Sequence, residues 1–240
     1  YKAITECIIC KNKNLVDILD LWIQSLTGFF LEKGEEAESW PLELVKCSGD
    51  NTCCWLVQLK HNYDLGKLYG DNYGYRSGLN KSMVTHLALI AQKAKSIVNL
   101  QPGELVIDIA SNDGSLLQSY GDKWYDLLWI DPTAEKFKQY YPSFVKYKAD
   151  FFSADIVKSY TDKKAKIITS VSMFYDLPEP LEFMRQVKEV LDDNGIWMLE
   201  QSYMPAMVDM ISYDTVCHEH LEYYALKQIK WMADRMWLRI

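Results

Sequence analysis

The sequence has no run of basic residues, no long uninterrupted apolar stretch, and almost none of the glycines of a dinucleotide-binding loop. Lys and Arg number 26 against 33 Asp and Glu, a formal net charge of −7, with the lysines interspersed among acids. That balance argues against binding nucleic acid by broad phosphate neutralisation. No segment approaches the roughly 20 apolar residues of a membrane span. The first residues, Tyr1-Lys2-Ala3-Ile4-Thr5-Glu6-Cys7, lack the basic-then-apolar pattern of a signal peptide. Six cysteines without an export signal point to the cytoplasm, where thiols stay reduced. What is present is ordinary for a globular protein: 240 residues, 49% hydrophobic and 25% charged. That length holds one full α/β domain and a small appendage.

The chain reads as three segments. Residues 1–60 hold five of the six cysteines and show little helical periodicity. Residues 61–100 carry a Gly/Tyr-rich loop, Tyr69-Gly70-Asp71-Asn72-Tyr73-Gly74-Tyr75-Arg76-Ser77-Gly78, and then apolar residues at helical spacing from Met83 to Val98. Gln101-Pro102-Gly103 breaks that helix. Residues 101–240 alternate short apolar runs with amphipathic stretches. Strands are expected at 105–110, 127–130, 167–171 and 195–199, and helices at 114–120, 134–140, 179–191 and 225–235. This alternation predicts an α/β fold with a doubly wound, Rossmann-like parallel sheet.

Cys7-Ile-Ile-Cys10 supplies two thiolates from one turn, and Cys47 with Cys53-Cys54 supplies a second pair about 40 residues on. Four soft ligands make a structural zinc site. One of Cys53 and Cys54 is surplus; Cys7, Cys10, Cys47 and Cys54 are the expected ligands. Four thiolates leave no open position for catalysis by the metal. A redox CxxC would sit before a helix in a thioredoxin-like unit, and no such unit is present.

The first strand runs into Asp108-Ile109-Ala110-Ser111-Asn112-Asp113-Gly114. At the carboxyl end of the first strand of an open sheet this turn holds a nucleotide-like cofactor. Only Gly114 remains of a GxGxxG loop, and Asp108 and Asp113 would repel a pyrophosphate. A phosphate-free cation, S-adenosylmethionine, fits better. Asp131, before Pro132 and 23 residues after Asp108, is placed to accept from both ribose hydroxyls. Asp150 and Phe151 end the next strand, near where an adenine would lie. Each acid alone is equally well a turn residue.

The stretch from Tyr213 to Tyr224 contains Cys217-His218-Glu219-His220. If it is extended, residues two apart face the same way, so both imidazoles share one side and Glu219 faces the other. Imidazole titrates near neutrality and suits proton abstraction. An HxH metal site, which lacks a clear third ligand, and a plain polar loop are the alternatives.

Together these stretches resemble the sugar C-methyltransferases of deoxysugar biosynthesis. The resemblance runs through the CxxC, Pro41–Val45, Tyr73–Asn80, Ser111–Gly114, Ile130–Pro132, Met173–Pro178, Glu200–Pro205 and Tyr213–Tyr224. It implies a class I methyltransferase sheet behind an N-terminal zinc-binding domain. It also implies methyl transfer from S-adenosylmethionine to a ring carbon, typically C3, of a nucleotide-linked 4-ketosugar. His220 then resembles the base, with Glu219 and His218 supporting it and Tyr75 a donor to the sugar or enolate. A monomer or weak homodimer is expected, with no nucleic-acid or membrane partner. Some relatives carry Tyr where this chain has Cys217. Ile240 falls where a strand after the last helix is expected, with the closing strands and a C-terminal domain still to come.

Trp22, Trp55, Trp129 and Trp237 stand where the resemblance leads us to expect glycine, as does Ala110. For the tryptophans the expectation is a UGA codon in a source that reads UGA as glycine, one base from GGA; UGG at all four positions would overturn it. The competing functions are an O- or N-methyltransferase, which needs no enolate-forming base, and a non-catalytic zinc-containing binding module, which has no affinity for S-adenosylmethionine.

Overall fold

The computed structural model describes the whole chain except residues 28–30, 32, 70–72 and 122–123, and the side chains of residues 65 and 67. Gly70, Asp71 and Asn72 of the Gly/Tyr-rich loop therefore lie outside the described residues.

From the N-terminus, β1 (Lys2–Ala3) precedes the CxxC, and β2 (Leu15–Ser25) and β3 (Ser39–Cys47) form a long antiparallel pair. Then come β4 (Val57–Leu59), β5 (His61–Asn62), the short helix α1 (Leu65–Leu68) and the longer α2 (Lys81–Val98). The parallel-sheet region runs β6 (Leu105–Ile109), α3 (Ser115–Gln118), β7 (Asp126–Ile130), α4 (Ala134–Phe137), β8 (Lys146–Lys148), α5 (Ala154–Tyr160) and β9 (Ala165–Val171). It continues with α6 (Pro180–Val190) and β10 (Leu191–Glu200). The chain ends with α7 (Met204–Asp209), β11 (Glu222–Tyr223) and α8 (Leu226–Arg235).

The chain divides into two compact units, residues 1–74, 172–185 and 201–240 in one, and 75–171 with 186–200 in the other. The first is built on an antiparallel sheet of order β11-β4-β3-β2. Its core packs Leu42, Leu44, Leu59 and Tyr63 with Leu221 and Tyr223. The second is the doubly wound sheet, all parallel, of order β10-β9-β6-β7-β8. Strand β6 is buried along its whole length, as a central parallel strand must be. Helix α2 covers that sheet with Leu87, Ile90, Ala91 and Ala94; the Asn80 side chain caps its N-terminus and Asn99 turns it off in the left-handed region.

Three expectations need correction. The helix expected over 134–140 is α-helical only to Phe137 and tightens to a 3₁₀ turn over Lys138–Tyr140. Helix α5 lies where no element is expected, and the strand expected before Asp150 is only the three-residue, mostly lysine β8, which pairs beside β7. Residues 238–240 form no strand.

The backbone bears on the tryptophans. Trp22, Trp55 and Trp237 have φ of +58°, +61° and +57°, and Ala110 has +57°. Trp22 sits where β2 loses register between Asp20 and Ile23, its N–H donating to Asp20 Oδ1 at 2.8 Å, a bulge position that favours glycine. Trp129 has no such φ, but it is fully buried and its indole N–H has no hydrogen-bond partner among the described residues. Its ring lies so close to Gly114 that a Cβ built there would come within 2.1 Å of it. A left-handed L-residue costs about 1–2 kcal/mol, and Trp22 and Trp237 are 75% and 84% exposed, so their rings recover little by packing. Trp22→Gly and Trp237→Gly are each expected to stabilise the protein by about 1 kcal/mol, raising Tm by about 2–4 °C in a melting experiment. A fall in Tm for both would remove the case for glycine.

Candidate functional site

In the first unit, the Sγ atoms of Cys7, Cys10, Cys47 and Cys54 lie within 4.8 Å of one another. The closest pairs, Cys7–Cys54 at 3.3 Å and Cys10–Cys47 at 3.5 Å, are unbonded and near the separation of about 3.8 Å that a tetrahedral zinc with 2.3 Å Zn–S bonds imposes. Cys53 is buried but outside the cluster. The knuckle turns are prepared by the backbone. Lys11 N–H donates to the Cys7 carbonyl, and the residue after each of Cys10 and Cys54, Lys11 and Trp55, takes φ +61°. The donor set suits a structural zinc ion, which would tie the start of the chain to the end of β3 and the approach to β4.

The same unit contains the histidine stretch, which is not extended. His220 N–H donates to the Cys217 carbonyl at 3.3 Å and closes a turn. The two imidazoles consequently have different surroundings rather than one shared face. His218 is fully buried between Trp40 and Tyr63, its ring edge-on to Tyr63 at 5.0 Å, and Nε2 donates to the Trp40 carbonyl at 3.3 Å. His220 lies 4.3 Å from the Tyr175 ring, and its Nδ1 is 2.8 Å from the Thr215 carbonyl. A carbonyl only accepts, so Nδ1 carries the proton and the lone pair of the neutral ring is on Nε2. Burial disfavours the cation and lowers the pKa of both histidines. Glu219 is buried and accepts a hydrogen bond from the Thr27 hydroxyl.

The sequence reading missed Asp176. The Tyr69 hydroxyl donates to its Oδ2 at 2.6 Å, while Oδ1 is buried without a partner among the described residues. Burial pushes this carboxyl well above the usual range, with the nearby Glu219 charge adding to the shift. Its only sequence signal was membership of the Met173–Pro178 stretch.

The second unit carries the turn after β6 that the sequence marks as the candidate cofactor site. Ala110 and Asn112 both have positive φ, and Gly114 has +77°, so the loop after β6 coils tightly. Asp131 anchors it, accepting from Asn112 N–H at 2.7 Å on one oxygen and from Thr133 N–H and Oγ1 at 2.6 and 2.5 Å on the other. Asn112 and Asp113 in turn hold the 75–78 segment. Asn112 accepts from Ser77 N–H and donates to the Tyr75 carbonyl, both at 3.0 Å, and Asp113 Oδ2 accepts from Gly78 N–H at 2.8 Å. Gly78 is required there, because a Cβ would lie 2.5 Å from that carboxylate oxygen. Asp113 Oδ1 accepts from Ser115, so this acid braces the loop with both oxygens. Burial pushes Asp108 up to about 7, against a 2.5 Å hydrogen bond from Thr169. Ser111 Oγ is buried with no partner among the described residues, an open donor–acceptor in the turn. Pro132 follows Asp131 at the strand end, and Asp150 and Phe151 are exposed beyond β8. Tyr75 belongs to this unit and is exposed. Acids without a glycine-rich phosphate cradle, plus an unused buried hydroxyl, suit a cationic cofactor.

The parallel sheet and its order define a class I methyltransferase fold. Residues 77–236, more than half of the chain, match the family described as "Methyltransferase domain", and the chain belongs to it. Residues 7–69 match a family described as "Putative zinc binding domain". Among curated proteins the chain is similar to the C-methyltransferase NovU of Streptomyces niveus, with 22% identity over 100% of this chain and 57% of the relative; it thus spans little more than half that protein's length. Among solved structures it is similar to the YcgJ protein of Bacillus subtilis, with a TM-score of 0.51, 16% identity, and coverage of 63% of this chain and 67% of that one. S-adenosylmethionine is the cofactor of a methyltransferase domain, and a structural zinc ion suits the four gathered cysteines of the zinc-binding match. No described helix is long and apolar enough to cross a membrane.

Proposed function

We propose that this protein is an S-adenosylmethionine-dependent C-methyltransferase acting at a ring carbon, C3, of a nucleotide-linked 4-ketosugar. The observation that carries this reading is His220. Its Nδ1 is fixed by the Thr215 carbonyl, its Nε2 holds the lone pair of the neutral ring, and burial disfavours the cation. A carbon acid beside a ketone needs such a base, whereas a hydroxyl or amine acceptor needs a weaker one or none. NovU's printed description, C-methyltransferase, points the same way.

In this reading His220 Nε2 takes the C3 proton. The C–H electron pair moves into the C3–C4 bond, and the carbonyl electrons move onto O4. Glu219 and His218 support the base, and Tyr75 donates to the sugar or enolate oxygen. When bound, S-adenosylmethionine supplies an electrophilic methyl on a sulfonium and leaves as the neutral thioether, which balances the enolate charge. Asp131 and the Ser111–Gly114 turn hold that cofactor. The test is exchange of the C3 proton of a 4-ketosugar nucleotide in deuterated buffer, run beside calorimetric titration with S-adenosylmethionine. Saturable cofactor binding with exchange at C3 is expected. Cofactor binding with no exchange on any 4-ketosugar would transfer the reading to O- or N-methylation.

A further inference from the structure

The histidine turn leads directly into β11, which pairs antiparallel with β4 in the register Glu222↔Gln58 and Tyr223↔Val57. Gln58 and Glu222 are therefore directly opposite one another across the sheet, where side chains lie about 5 Å apart at Cβ. They are 1% and 2% exposed. Gln58 Oε1 is used, accepting from Ile8 N–H, inside the first zinc knuckle, at 3.0 Å. Gln58 Nε2 and both carboxylate oxygens of Glu222 have no hydrogen-bond partner among the described residues. A buried amide donor without a partner and a buried carboxyl without a donor each cost about 1–3 kcal/mol. Placed opposite each other, each carries what the other lacks, an N–H donor on Gln58 and acceptor oxygens on Glu222. A second tie runs parallel to this one: Gln228 Nε2, at the start of α8, donates to the carbonyl of Cys54, a residue of the zinc cluster, at 2.8 Å.

We propose that Gln58 and Glu222 form a positioning pair that fastens the His218–His220 turn to the zinc knuckle. The connection runs from Ile8 N–H to Gln58 Oε1, and from Gln58 Nε2–H to the Glu222 carboxyl two residues beyond His220. Zinc binding thus sets the knuckle, the knuckle orients Gln58, and Gln58 holds the strand that carries the base. The positioning role rests on the assignment of His220 as base; the link from knuckle to turn does not.

The test uses full-length, zinc-loaded protein and the variants Gln58→Met, which keeps the shape and removes both bonds, and Glu222→Gln, which keeps an acceptor opposite Gln58. Zinc content is expected to stay at the wild-type level in both, because the four cysteines are untouched. Amide hydrogen exchange over 217–224 is expected to quicken about tenfold in Gln58→Met, the value of one net hydrogen bond. C3 deuterium exchange should fall to a similar extent through kcat, with KM unchanged. Glu222→Gln should stay within about twofold of wild type in both. If Gln58→Met does not fold, Glu222→Met is read against the same expectations. Unchanged amide exchange would overturn the proposal, as would a Glu222→Gln variant as loosened as Gln58→Met. Faster amide exchange with unchanged kcat would overturn the positioning role. A wild-type protein that shows no C3 exchange at all fails the base assignment, and leaves the amide measurement to judge the link.

Discussion

Replacing His220 with glutamine is expected to lower C3 deuterium exchange and methyl transfer by about 10²–10⁴-fold, the usual contribution of a positioned general base. Glutamine keeps the size and a donor for the Thr215 carbonyl but has no titratable lone pair, so folding and cofactor binding should survive. Calorimetry with S-adenosylmethionine separates the two effects: affinity near wild type with lost exchange is the expected pair of results. The pH profile gives an independent sign. Burial lowers the His220 pKa below the ordinary imidazole value of about 6.5, so the base stays deprotonated to more acidic pH. The acid limb of kcat/KM should therefore fall below that value in wild type and vanish from the residual activity of His220→Gln. An O- or N-methyltransferase forms no enolate, so it has no C3 exchange for the substitution to remove.

How far the sequence discloses this molecule differs by element, and the reasons are physical. The central strands β6, β7 and β9 are largely buried and carry short apolar runs (105–107, 127–130, 167–168) alternating with amphipathic helices, so the parallel sheet was visible from that alternation. Strand β8, Lys146–Lys148, is a three-residue edge strand whose two lysines carry no such signal. The zinc ligands announced themselves by chemistry, but the choice of Cys54 over Cys53 depends on a knuckle turn whose αL residue, Trp55, looks in sequence like the wrong amino acid. Asp108, near the end of β6, Asp131, just after β7, and Gly114, at the start of α3, were legible from their place in the strand–turn–helix pattern. What was not legible was that Asp113 braces the 75–78 segment, because that pairing spans 35 residues and has no periodicity. The histidines were found by composition, yet their geometry was misjudged: an extended strand would have put both rings on one face, and the turn closed at Cys217 separates their partners. The positive φ at Trp22, Trp55 and Trp237 gives the expectation of glycine at those positions a cause independent of any resemblance.

Removing zinc is expected to have the largest effect on stability. Four sulfurs gathered within 4.8 Å repel one another when ionised, and once zinc is removed no cation offsets that charge. Cys7, Cys47 and Cys54 are buried, so the ionised state is poorly served by water. Structural zinc contributes about 10–16 kcal/mol of apparent binding free energy in small modules, comparable to or larger than the whole stability of a typical domain. The sheet of the first unit depends on the ligands at its edges: Cys47 ends β3, and Cys54 precedes β4, whose Val57 and Leu59 enter the core with Leu221 and Tyr223. Chelation, or Cys54→Ser, should therefore lose the zinc and melt the antiparallel sheet, seen as loss of amide protection in β3 and β4. Cys53→Ser is the discriminating control, since that thiol lies outside the cluster and its loss should leave zinc content unchanged. The second unit has its own core, with Val106 of β6 and its β9 partner Ile167 packed with Leu87 and Leu117, so its amide protection over β6 and β9 should persist after chelation. If Cys53→Ser released zinc as Cys54→Ser does, the ligand set would be wrong; if zinc-free protein kept full protection in β3 and β4, the metal would not be structural.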